Sequence, residues 1–320
     1  MNKRILVKLS LCCLVFQMVG LEKALAADGA LKTEPQKAGY AFGMSLGNSL
    51  KKGNIPADAD FIGKGAKAQL TGATALLTAD EVAAVLKTLP AGPTNLPSGE
   101  KRFKTVKEEV GYAIGCDFGR SIKSMGLEMA DVDLDNLIKG AQDIAAGKAT
   151  LLTPDEATEV FAGIQDKVEQ KQAALRMTQD PQFKADSEKN LKEQTDFLAK
   201  NKTAPGVTAL ANGLQYTVLT KGTGPIPKAT DKVKVNYRGT FLDGKQFDAS
   251  QPGAPFSCSL SGGVIRGWLD VLKRMPAGSK WKVVIPSAMA YGPLGRPGIP
   301  PNAALIFEME LLSIDPPTAP

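Results

Sequence analysis

The spacing of apolar residues changes period once along this chain, near Asn201. Before that point Val160, Phe161, Ile164, Val168 and Leu175 recur with the spacing of one helix face. Beyond it the period drops to two. Val233, Val235 and Tyr237 alternate with Lys232, Lys234, Asn236 and Arg238, so one strand face is buried and the other is wet. Trp281, Val283 and Ile285 alternate with Lys280 and Lys282, and Leu305, Phe307, Met309 and Leu311 repeat the pattern near the end. Between these strands Val264, Ile265, Trp268, Leu269 and Leu272 fall on one face of a short helix. The pattern predicts an α+β protein: an all-helical N-terminal region, then an antiparallel sheet wrapped on one helix.

The helical half contains a repeat. Gly39-Tyr-Ala-Phe-Gly-Met-Ser-Leu-Gly-Asn-Ser-Leu-Lys51 matches Gly111-Tyr-Ala-Ile-Gly-Cys-Asp-Phe-Gly-Arg-Ser-Ile-Lys123 at an offset of 72. After a three-residue shift, Gly72-Ala-Thr-Ala-Leu-Leu-Thr-Ala-Asp-Glu81 matches Gly147-Lys-Ala-Thr-Leu-Leu-Thr-Pro-Asp-Glu156 at an offset of 75. Identities fall at 7 of 14 positions over residues 39–52 and at 6 of 11 over residues 72–82, which marks a duplication rather than chance. Gly39, Gly43 and Gly47 are four apart and share one helix face, as do Gly111, Gly115 and Gly119. A glycine inside a helix costs about 1 kcal/mol relative to alanine. Such a stripe therefore needs compensation, which close approach of another helix backbone supplies. A phosphate-cradling loop would need a preceding strand and a different spacing.

Pro90-Ala-Gly-Pro-Thr-Asn-Leu-Pro-Ser-Gly99 is a linker by composition. Thr153-Pro154-Asp155-Glu156 starts a helix, with Thr as N-cap and Pro in the first turn. The stretch to Lys202 is rich in Lys, Glu, Asp and Gln and reads as an exposed helical stalk, which Asp180-Pro181 interrupts or re-caps. The expected layout is a signal peptide at 1–26, helical repeats at 27–89 and 105–157 around a linker at 90–104, a stalk at 158–202, a sheet domain at 203–315 and a disordered tail at 316–320.

The first residues change where the protein is expected to work. Lys3, Arg4 and Lys8 precede an apolar run from Leu9 to Leu21, and Ala24-Leu25-Ala26 supplies an A-x-A cleavage site. The run is short for a membrane span, and Leu11 stands before Cys12 where a lipoprotein signal wants a small residue. The expected product is a soluble periplasmic protein cut after Ala26 and free of membrane spans, with outer-membrane association left open. The net charge of +6 falls to +3 without that segment, and nothing in it calls for nucleic acid. Cys116 and Cys258 remain, isolated and without metal spacing, and read as buried small hydrophobes, with a disulfide between them the alternative. The 320 residues include no histidine, which removes His-based triads and most zinc sites.

Three segments then carry chemistry: Tyr237-Arg-Gly-Thr-Phe-Leu-Asp-Gly-Lys-Gln-Phe-Asp248, Val264-Ile-Arg-Gly-Trp268, and Tyr291-Gly-Pro-Leu-Gly-Arg-Pro-Gly-Ile-Pro-Pro-Asn-Ala-Ala-Leu-Ile-Phe307. In order and spacing they resemble the FKBP-type peptidyl-prolyl isomerase domain, over roughly residues 203–315. With the helical half and the junction Phe197-Leu-Ala-Lys-Asn201 plus Gly213-Leu-Gln-Tyr216, the chain resembles the macrophage infectivity potentiator-like isomerases of Gram-negative bacteria. The resemblance implies a pocket made by Tyr237, Phe247, Asp248, Phe256, Val264, Ile265, Trp268, Tyr291, Ile299 and Phe307. It implies that Trp268 floors the cavity, that Asp248 orients Tyr291, and that the Ile265 N–H and Tyr291 hydroxyl hold peptide carbonyls. No cofactor and no metal are implied. The expected partners are unfolded or proline-containing polypeptides, with a macrolide as a further ligand. Two departures stand out. Arg296 replaces a histidine common in the family, and the loop is one apolar residue shorter, with Ile299 alone before Pro300-Pro301.

In that family a single helical unit dimerises between chains. Here the two copies are expected to pair within one chain, glycine stripe against glycine stripe, giving a monomer; a homodimer is the alternative. The rival function is a periplasmic holdase chaperone whose helical region carries the main activity.

Overall fold

A computed structural model describes residues 30–89 and 102–315. The expected signal peptide, most of the linker and the tail lie outside those residues. The chain divides into two compact units after Val168.

In the first unit each capping signal occurs twice. Thr33 caps α1 (Glu34–Lys52) and Thr105 caps α4 (Val106–Ser124). Asp58 caps α2 (Ala59–Thr71), and Asp133, 75 residues on, caps α5 (Leu134–Ala145). Thr78 and Glu81 form a capping box at α3 (Ala79–Thr88). Thr153 and Glu156 exchange the same bonds at the start of α6 (Pro154–Gln179). A side-chain oxygen at each N-cap satisfies an amide that the helix itself leaves unpaired, so the same three helix starts are written twice. The three-residue shift between the copies falls between α4 and α5, where Met129–Asp131 forms a short 3-10 turn.

The copies are interleaved rather than side by side. α1 packs on α5 and α2 packs on α4, so each long helix of one copy lies against the second helix of the other. A Cβ on Gly43 would overlap the Leu137 carbonyl oxygen, and one on Gly115 would overlap that of Ile62. The expectation that the stripes pack on each other is therefore corrected: Gly39, Gly43 and Gly47 face α5, and Gly111, Gly115 and Gly119 face α2. Each second helix brings a glycine to the same contact, Gly140 against the Tyr40 carbonyl and Gly65 against that of Tyr112, and α2 carries a further one, Gly63, against the Ile138 side chain. Hydrogen bonds repeat across the same pseudo-twofold. The Asp58 amide donates to the Lys107 carbonyl at 2.9 Å and the Asp133 amide to that of Pro35 at 3.0 Å. The Leu76 amide donates to the Tyr112 hydroxyl at 2.8 Å and the Leu151 amide to the Tyr40 hydroxyl at 3.0 Å. The core between them holds Phe42, Ile62, Tyr112, Ile122 and Leu137.

The expected stalk is two helices. Asp180 accepts from the Phe183 amide at 3.0 Å and caps α7 (Pro181–Asn201), whose first residue is Pro181. α7 is also less exposed than its composition suggests, because Phe183, Ser187 and Gln194 are buried. Gln194 Oε1 accepts from the Ser287 amide at 2.6 Å, and Asn190 donates to the Pro301 carbonyl at 2.8 Å.

The second unit is an antiparallel sheet with strand order β1-β2-β6-β7-β3-β4, and β5 pairs with the first part of β3 on the same edge as β4, opposite β7. The strands are β1 (Val207–Ala209), β2 (Gln215–Thr220), β3 (Lys232–Thr240), β4 (Gln246–Ala249), β5 (Phe256–Ser259), β6 (Lys280–Ile285) and β7 (Leu305–Asp315). The predicted alternation holds, with Val233 and Val235 buried on β3 and Leu305, Phe307, Met309 and Leu311 on β7. A bulge leaves Leu312 unpaired opposite Lys234 and Val235, which reverses the side-chain alternation at the end of β7. One helix, α8 (Arg266–Leu272), covers the concave face. It lies close because Gly267 has no side chain to meet Ile285. Cys116 and Cys258 are both buried free thiols, one in each unit.

Candidate functional site

The pocket begins with Trp268 on α8, which is 4% exposed. Three rings meet its indole edge to face: Tyr237 of β3 at 4.9 Å between centroids, Phe307 of β7 at 5.3 Å and Phe256 of β5 at 5.9 Å. Phe247 of β4 closes the ring by standing at 89° to Phe307, 5.6 Å away. These T-shaped contacts are the arrangement aromatic quadrupoles favour. Two glycines make room for them. Gly267 lets α8 sit down on the sheet, and a Cβ at Gly239 would run into the rings of Phe247 and Phe307.

The cavity they enclose is about 200 Å3, lined also by Asp248, Gly263, Val264, Ile265, Tyr291 and Arg296. That is below the range of about 300–1,000 Å3 typical of drug-sized ligands and suits one residue rather than a length of chain. Its polar groups include the Tyr237 and Tyr291 hydroxyls, the Asp248 carboxylate, the Arg296 guanidinium and the Trp268 indole N–H. The Trp268 indole N–H is buried with no acceptor. The Ile265 amide stands at the first position before α8 and donates to no group among the described residues.

Nine of the ten residues expected at the site come together here. Ile299 is behind the wall, buried in the sheet core. Its amide and carbonyl pair with the carbonyl and amide of Arg296 at 2.8 and 2.9 Å, with Gly295 and Gly298 at positive φ on the turn. Ile299 therefore anchors the loop, and Arg296 is the residue that reaches the cavity. Asp248, expected to orient Tyr291, has its hydrogen bonds elsewhere. Asp248 accepts from the Tyr237 hydroxyl at 2.9 Å and from the Ala249 amide at 3.0 Å. Tyr291 is instead covered by the Arg296 guanidinium, 4.0 Å above its ring. The far end of the loop is tied to α7, where Asn302 donates to Ser187 at 2.8 Å.

Burial pushes the Tyr237 phenol up to about 12, helped by its bond to Asp248. Burial also raises Tyr291, against the opposing charge of Arg296. Both phenols therefore stay protonated at neutral pH and serve as hydrogen-bond donors, not bases. Together these residues can hold an apolar ring and orient carbonyls beside it.

Two family patterns match the chain. The one described as FKBP-type peptidyl-prolyl cis-trans isomerase matches residues 224–312. The one described as the domain amino terminal to FKBP-type peptidyl-prolyl isomerase matches twice, at 35–104 and 107–218. FkpA of Escherichia coli K12, a curated FKBP-type peptidyl-prolyl cis-trans isomerase, is 39% identical over 231 residues, 71% of this chain and 82% of its own. The outer membrane protein MIP of Legionella longbeachae is 38% identical over 213 residues, 66% of this chain and 86% of its own. A crystal structure of FkpA from Escherichia coli aligns with 67% of this chain and 99% of that one, at 36% identity and a TM-score of 0.42. The aromatic cage thus sits inside the matched catalytic segment, and the chain belongs to the FKBP-type peptidyl-prolyl cis-trans isomerases.

Proposed function

We propose that the chain catalyses Xaa-Pro isomerisation in exported polypeptides by holding the twisted amide in the cage around Trp268. The barrier to rotating a peptide bond is about 18–20 kcal/mol, and an uncatalysed Xaa-Pro bond takes tens to hundreds of seconds. At the top of that barrier the amide has lost its resonance and much of its dipole. An apolar cavity binds that state better than the planar ground state, which is catalysis by differential binding. Trp268 lies under the proline ring, and Tyr237, Phe247, Phe256 and Phe307 wall it. The Ile265 amide and the Tyr291 hydroxyl receive the flanking carbonyls. Export rests on the charge, apolar run and Ala24-Leu25-Ala26 order of the first residues. The observation that carries the reading is the set of edge-to-face contacts on Trp268. Isomerisation of Xaa-Pro peptides by the full chain tests it. Trp268→Leu should lower kcat/KM at least tenfold while the fold is kept, and no rate above background for the unaltered chain would sink the reading.

We further propose that the helical unit is a dimerisation module closed within one chain. The interleaving of α1 with α5 and of α2 with α4 favours this. A linker of about 15 residues spans roughly 50 Å when extended and holds the copies at effective concentrations of order mM. Pairing within the chain then outcompetes pairing between chains.

A further inference from the structure

We propose that Arg296 makes this pocket select prolyl peptides carrying a carboxylate side chain next to the proline. The proposal rests on the isomerase reading above and names the substrate class of that site.

Among the described residues, seven arginines can be compared. Arg102 binds Glu81, Arg120 lies by Asp117, Arg176 by Asp180 and Arg274 by Asp270. Arg238 donates to Gln246 and Arg266 to the Ala288 carbonyl. Arg296 alone has no carboxylate, amide or carbonyl on its guanidinium; its partner is the face of Tyr291 at 4.0 Å. Stacking uses the plane of the group and leaves its N–H edge unspent. The backbone that carries it is also held in place. Arg296 and Ile299 exchange two backbone hydrogen bonds, and Ile299 is buried beneath them. A guanidinium at a pocket mouth with its donors free matches the two oxygens of a carboxylate.

The one other charged side chain lining the cavity is Asp248. Both of its oxygens are already engaged, one by the Tyr237 hydroxyl and one by the Ala249 amide. An incoming carboxylate therefore finds a cation with no other hydrogen-bond partner, whereas an incoming ammonium finds an anion that already accepts one hydrogen bond at each oxygen. Arg296 is exposed, which keeps the effect modest and sensitive to salt.

The test compares kcat/KM for Glu-Pro against Gln-Pro tetrapeptides, and for Pro-Glu against Pro-Gln, in the full chain at low and high ionic strength. The acidic peptide should win by about fivefold in at least one position at low salt, with the gap closing as salt is added. Arg296→Met should bring that ratio to one whatever its absolute rate, and Arg296→Lys should keep about twofold, having the charge without the fork. A ratio of one at both positions in the unaltered chain, or a ratio untouched by Arg296→Met, overturns the proposal. No acceleration of the Gln peptides by the unaltered chain would overturn the isomerase reading beneath it, a result separate from any ratio.

Discussion

Tyr40 donates its hydroxyl to Asp143 at 2.9 Å, and this pair has no counterpart across the pseudo-twofold. The residue 75 positions before Asp143 is Ala68. Asp143 is 4% exposed and takes a second bond from Lys139 at 3.0 Å. Tyr40 also accepts from the Leu151 amide, so one buried hydroxyl joins the first copy to two points of the second.

Tyr40→Phe and Tyr112→Phe should therefore differ although the positions are equivalent. The first strips a donor from a buried carboxylate and an acceptor from a backbone amide, at about 2–3 kcal/mol; the second leaves the Leu76 amide without its acceptor, at about 1 kcal/mol. Urea denaturation followed by circular dichroism measures both. Equal losses would mean that the Asp143 bond contributes nothing.

Glycine-to-alanine exchange should change sign along the helices. Gly163 on α6 has no atom within 4 Å of a built Cβ, so Gly163→Ala should stabilise by up to about 1 kcal/mol. Gly43→Ala and Gly115→Ala force a methyl against a neighbouring carbonyl and should destabilise by about 1–3 kcal/mol or more. Thermal midpoints of the three variants decide it, and stabilisation by all three would refute the close cross-copy approach.

The phenols provide a pH signature. Tyr40 is pushed up to about 12, first by burial, as is Tyr237, and burial also raises Tyr112 and Tyr291. A raised value in the folded state means that the stabilisation is complete below the ordinary phenol value of 10 and is lost as pH climbs through 12. Ultraviolet titration between those limits should ionise fewer tyrosines in the folded chain than in urea. Matching curves would contradict the buried hydroxyls.

The mass of the assembly tests the closed helical unit. Light scattering on size-exclusion fractions of the full chain at low micromolar concentration should give one chain. Twice that mass would show that the copies pair between chains.

Much of this was legible in the residues, and the failures have a common cause. Period two found β3, β6 and β7, and Asp180-Pro181 marked the junction of α6 and α7. The cage residues came from the resemblance of three segments to the FKBP-type domain, and Trp268 and the proline-rich loop from Tyr291 supported it by being poor core filler. Missing were partners. Helical spacing shows that Gly39, Gly43 and Gly47 share a face but not which helix covers it. The repeated Lys64-Gly65-Ala66 and Lys139-Gly140-Ala141 held the clue that α2 and α5 carry glycines of their own. Likewise Asp248 and Tyr291 share a pocket, yet which phenol reaches the carboxylate depends on the strand register, which sets Asp248 opposite Gly239 and leaves Tyr237 diagonal to it. Ile299 was expected on the surface of the cavity, but a turn with two positive-φ glycines puts it behind Arg296. Residues in short strands such as β4 and β5 lacked enough alternation to announce themselves.

α3 ends at Thr88, whereas its counterpart α6 begins with the same Thr-capped turn and runs on to Gln179. One of the two equivalent helices therefore stops short, and the isomerase segment follows the copy whose helix runs on. Where two arms rise from one base, a client with several prolines can be held at one site while the other works, and it leaves slowly. With one arm each proline is a separate encounter. A monomer of the kind proposed above would give up avidity and gain turnover between clients, an allocation suited to short-lived contact with many chains rather than prolonged custody of one.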